Sequence, residues 1–152
     1  MVSTYTVLLA VHLLAAVVWV GSNVALDLQA ARALATDDPA RTSGFLSDAA
    51  FLGGRVFAPA AGILLLAGFG LMVEVGYDFD FWIIFALAVW LLSFFLGIFY
   101  FGPESSKLSE MVVADAPPPE FGARLTRLAK ISRVETILLL LVVIDMAIKP
   151  GL

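Results

Sequence analysis

Four stretches of the chain, at about 5–26, 56–73, 81–101 and 134–148, are continuous apolar runs broken by almost no charge. A helix needs roughly 20 mostly apolar residues to cross about 30 Å of hydrocarbon, and these runs approach or reach that length. They do not alternate apolar with polar residues, which excludes the strands of a membrane barrel. Hydrophobic residues make up 61% of the 152 residues and charged residues 14%, against about 25% charged in a typical soluble domain. A chain this short cannot bury so much apolar surface against itself, so lipid must solvate much of it. The expected fold is a single all-α membrane domain, a four-transmembrane-helix bundle with helical cytoplasmic extensions. The first run has no basic segment before it and is long for a cleaved signal, so it is expected to remain as a helix.

Basic residues set the expected direction of the spans. Eight of the nine lie in the connections after spans one and three: Arg32, Arg41 and Arg55 in the first, and Lys107, Arg124, Arg127, Lys130 and Arg133 in the second. Lys149 alone lies on the other side. Both termini are therefore expected outside the cytoplasm. The long connections should be helical: the Ala-rich stretch 27–36 continues the first helix, Asp38 and Pro39 mark a new helix start, and a long helix follows Pro117, Pro118 and Pro119. Gly97, Gly102 and Pro103 mark an expected bend or close contact near the inner end of span three, and Ala58 and Gly62 an expected site of tight helix packing or an oligomer contact. Arg124, Arg127 and Lys130 recur every three residues, a spacing that suits anionic headgroups as well as simple anchoring. The net charge of -4 points away from nucleic acid. The lipid bilayer is the expected partner, with a homo-oligomer or a larger membrane complex also open.

Ionisable residues at membrane depth are costly, by roughly 2.5–3.5 kcal/mol on insertion scales, and mark candidate sites. His12, Ala16, Trp19 and Asn23 share one face of the first helix. That face is expected to turn inward and makes His12, Trp19 and Asn23 the candidate cofactor-binding residues. Asp145, Glu135 and Arg55 are the candidate polar partners: Asp145 for His12 across adjacent helices, and Glu135 for Arg55 or Arg133. With no cysteine and no second histidine in the chain, no metal site is expected and a bis-histidine haem within one chain is excluded. A His–Met haem would use Met72 or Met146.

The stretch from His12 through Trp19 to Gly21 has the form H-x6-W-x-G. It resembles the opening of a broad set of small bacterial membrane proteins, among them the copper-resistance D proteins and the four-helix membrane protoporphyrinogen oxidases. With Gly102-Pro103 after span three and Lys149-Pro150 at the end, the whole-chain pattern is most similar to the predicted integral membrane proteins of domain-of-unknown-function family 2269. The resemblance implies a four-helix bundle in the bacterial inner (plasma) membrane with a membrane-embedded histidine. In the oxidases that histidine, with a lysine on a later helix, is associated with haem and activity; His12 matches the first, and spans two and three contain no lysine. Three functions stay open. The leading one is a non-enzymatic bundle that binds a small ligand or acts in a complex. The others are a haem b electron-transfer or oxidase-like protein using His12, and a small proton- or metal-linked transporter.

Overall fold

The computed structural model describes residues 2–36, 38–112 and 117–150, which are helical apart from short turns. Helix α1 (Thr4–Leu34) starts at Ser3, whose Oγ accepts the Thr6 N–H at 3.2 Å. As expected, it runs well past the apolar segment. Helix α2 (Pro39–Leu52) is capped by Asp38, which accepts the Ala40 N–H at 2.9 Å, with Pro39 in the first turn, where its missing donor is harmless. Helix α3 (Ala58–Val75) ends at Gly76, whose φ of 78° is a left-handed conformation that favours glycine. Helix α4 (Phe81–Leu96), helix α5 (Gly102–Val112) and helix α6 (Phe121–Ile148) complete the order.

Two π turns link helices in pairs. Gly53–Phe57 joins α2 to α3, and Gly97–Phe101 joins α4 to α5, so each pair forms one uninterrupted helical run. At Gly102 the chain does not break: its N–H bonds to the Gly97 carbonyl five residues back, and an added Cβ would meet that oxygen at 3.3 Å. Pro103, which brings no N–H, follows directly. The hydrogen-bond register slips by one residue at this point.

The runs Thr4–Leu34, Pro39–Val75 and Phe81–Val112 are long and apolar enough to cross a membrane. Helix α6 carries Arg133, Glu135 and Asp145 within its apolar half and is not among them. Helix α1 packs against α3 and α6, and α4 packs against α6 and along a narrower seam against α3. The α1–α3 contact is close because small residues line it: Ala60, Ala61 and Ala67 are buried, and Gly70 lies under Leu8. The Ala58–Gly62 pair takes no part in this contact within the chain, since Ala58 is exposed and a Cβ on Gly62 would meet nothing within 4 Å.

The helical extensions form a core of their own at the end remote from the termini. Leu26 and Ala30 of α1, Phe45 and Leu46 of α2, Leu108 of α5 and Leu125 and Leu128 of α6 are buried together. Arg124 and Glu104 fasten α6 to α5 by two parallel bonds, Nε to Oε1 at 2.8 Å and Nη2 to Oε2 at 2.7 Å. Arg124 is thereby drawn away from the expected basic face, which leaves Arg127 and Lys130 exposed. A second core around Trp19, Ala61, Val89 and Leu139 lies nearer the termini.

Candidate functional site

Period 3.6 places His12, Ala16, Trp19 and Asn23 along one face of α1. Trp19 and Asn23 are buried, and His12 and Ala16 are partly so. The stripe therefore turns inward, as expected. Two cavities lie along it. The larger, about 360 Å³, is near the termini among α1, α3, α4 and α6, and His12, Ala16 and Trp19 line it. The smaller, about 100 Å³, is toward the other end, and Trp19 and Asn23 line it. Trp19 alone lines both.

His12 Nδ1 lies 3.0 Å from the Leu64 carbonyl of α3. A carbonyl oxygen only accepts, so this nitrogen carries the proton and Nε2 is left without a protein partner. Glycine at 68 makes the approach possible: a Cβ there would stand 3.2 Å from His12 Cε1 and 3.4 Å from Nδ1. No hydrogen bond or ion pair joins His12 to Asp145, the expected partner. Asp145 Oδ2 is buried without a partner, while the backbone carbonyl of Asp145 accepts the Lys149 N–H at 2.7 Å.

The terminal rim of the larger cavity is polar and aromatic. Lys149 Nζ donates to Tyr77 Oη at 2.9 Å and lies 5.6 Å from the centre of the Trp82 ring. Tyr77 and Trp82 meet edge to face at 5.2 Å. Trp82 is 4% exposed, and its Nε1–H has no acceptor among the described residues. The chain has three tryptophans, Trp19, Trp82 and Trp90, and all of them line this cavity. The Lys149–Tyr77–Trp82 cluster escapes sequence reading because its members lie on two separate segments of the chain. An aromatic turn beside span three and a lone outer lysine are the only signals of it.

The smaller cavity contains Glu135, which is 5% exposed. Glu135 forms no ion pair, so neither suggested partner is used. Arg55 is exposed and rests its guanidinium 5.1 Å from the Phe51 ring centre. Glu135 instead faces Asn23 of α1, Ser93 of α4 and Ser132, one turn earlier on α6. Asn23 Nδ2 donates to the Trp19 carbonyl at 3.1 Å, and Ser132 Oγ to Asp27 Oδ1 at 2.6 Å. Among the described residues no group of three or more His, Asp or Glu side chains converges.

A family model described as predicted integral membrane protein (DUF2269) matches residues 6–150. The chain belongs to the DUF2269 family. Neither the curated proteins nor the solved structures yielded a match. This DUF2269 chain is accordingly an integral membrane protein with several apolar helices. Within it, His12 and Gly68 form a complementary pair across α1 and α3. Gly68→Val should overpack that contact and destabilise the protein by about 1–3 kcal/mol, read as a lower thermal midpoint in detergent. In a His12→Ala background the same change should be much milder. Additive losses in the double variant would show that the two sites do not meet.

Proposed function

We propose that this chain is a four-span, non-enzymatic bundle of the bacterial inner membrane, with both termini outside the cytoplasm, that holds a compact planar ligand in the cavity near the termini. Two observations support the fourth span. Helix α6 turns Ile137, Ile144 and Ile148 outward, each more than half exposed, while Leu139 is buried against Trp19. Its acidic Glu135 faces inward, where lipid is not its solvent. The eight basic residues on the long connections favour this orientation.

The observation that carries the binding reading is the buried, unpartnered Trp82 N–H in the wall of the 360 Å³ cavity. Buried donors are normally satisfied, and an acceptor oxygen on a ligand would satisfy this one. Lys149 beside it favours that oxygen being anionic. Aromatic walls suit a planar ring, and the volume is toward the small end of the roughly 300–1,000 Å³ usual for ligand pockets. That size favours a compact ligand over a macrocycle.

2-Naphthoate is a suitable probe, and the three tryptophans report on it directly. Their fluorescence should be quenched saturably in the wild type and without saturation in Ala16→Phe, which fills the cavity. Equal, linear quenching in both would count against the reading.

Haem b is the second reading, and one observation favours it. A histidine that gives its Nδ1–H to a carbonyl is oriented as metal-binding histidines usually are. Met72 and Met146 line the same cavity. His12 Nε2 and a methionine are the residues that would hold the group, and the group would bring one-electron chemistry. Protein purified from haem-replete cells should then show a Soret band that His12→Ala abolishes. A colourless wild type removes this reading and leaves the first intact.

A further inference from the structure

The smaller cavity is a separate chemical environment from the one assigned above. Its lining includes one formal charge, the Glu135 carboxyl, and the partner that a buried carboxylate usually requires is missing: no Lys, Arg or His lines the cavity. A carboxylate in a low-dielectric setting without a counter-charge is strongly destabilising. Its neighbours are oxygen donors. Ser93, 4% exposed, stands within hydrogen-bonding reach of Glu135, and its Oγ has no other partner among the described residues. Asn23, 5% exposed, has committed its amide N–H to the Trp19 carbonyl, which leaves Oδ1 free to coordinate. The nearby Asp27 carboxylate is engaged by Ser132 at 2.6 Å and does not line the cavity.

The backbone contributes as well. Both π turns of the fold border this cavity, through Gly53 and Phe57 on one side and Gly97 and Phe101 on the other. A π turn shifts the hydrogen-bond register by one residue, and such turns occur often at functional sites. The space of about 100 Å³ would admit a few water-sized particles at about 30 Å³ each.

We propose that Glu135, Ser93 and Asn23 form a binding site for a monovalent cation of the Na⁺ class. Oxygen-only donors select a hard cation. Glu135 is the single carboxylate among the lining residues, which matches one positive charge. The site joins α1, α4 and α6, so occupancy ties together three helices that no ion pair connects at this level.

The test is thermal unfolding of the full chain in detergent at mildly alkaline pH, with NaCl exchanged for choline chloride at constant ionic strength. Wild type should gain midpoint saturably with Na⁺ and not with choline, as expected for a ligand that binds only the folded state. Ser93→Ala should weaken the apparent affinity about tenfold, the effect of one lost ligand bond. Glu135→Gln should remove the response. If Glu135→Gln does not fold, the Ser93→Ala shift and its effect on ²³Na line broadening carry the test. Identical midpoints in Na⁺ and choline, a larger response to Mg²⁺ than to Na⁺, or an unchanged response in Ser93→Ala would overturn the proposal.

Discussion

Lipid offers no hydrogen bonds, and this constraint decides which way each polar side chain in the apolar helices turns. The first helix carries His12, Trp19 and Asn23 within a largely apolar sequence, and an inward orientation keeps these polar groups out of lipid. His12 finds the Leu64 carbonyl and Asn23 the carbonyl of Trp19. Once that face is committed inward, α3 and α6 must pack on either side of it. The small residues of α3 let it come close enough for an imidazole to reach a helix backbone. The exposed apolar residues, such as Val17, Leu66 and Val73, are left for lipid.

The same constraint divides the interior into two compartments. An apolar layer of Trp19, Ala61, Val89 and Leu139 separates a larger, aromatic cavity near the termini from a smaller, oxygen-lined one. Each compartment presents polar groups that the described residues do not pair with a charge or an acceptor, Trp82 Nε1 in the first and the Glu135 carboxyl in the second. The two proposed ligands differ in chemistry for this reason: one compartment offers rings and a cation, and the other offers oxygens and a carboxylate.

Much of this was legible in the residues. The lengths of the apolar runs and the helical extensions could be read directly, as could the inward face of α1, because period 3.6 puts His12, Trp19 and Asn23 on one side. Glu135 was harder. Proximity in sequence suggested Arg133, and depth suggested Arg55, yet neither pairs with it. The signal lay in the 4-3-4 spacing of Leu128, Ser132, Glu135 and Leu139, which puts the acid on the buried face of α6. Asp145 drew attention as an acid in an apolar run, but at 3.6 residues per turn it lies about 80° around the helix from Glu135. The core formed by the extensions and the two π turns depend on contacts between distant segments, which local pattern does not encode.

The chain contains no cysteine, so a single introduced thiol reports on one position. The central claim is that the histidine-bearing face of α1 lines a cavity reached from outside the cytoplasm, while the neighbouring face meets lipid. Ala16 lines that cavity, and Val17, 68% exposed, does not. In intact cells a membrane-impermeant methanethiosulfonate reagent should label Ala16→Cys and leave Val17→Cys unlabelled. Labelling of Ala16→Cys only in inside-out vesicles, or equal labelling of both positions, would contradict the account.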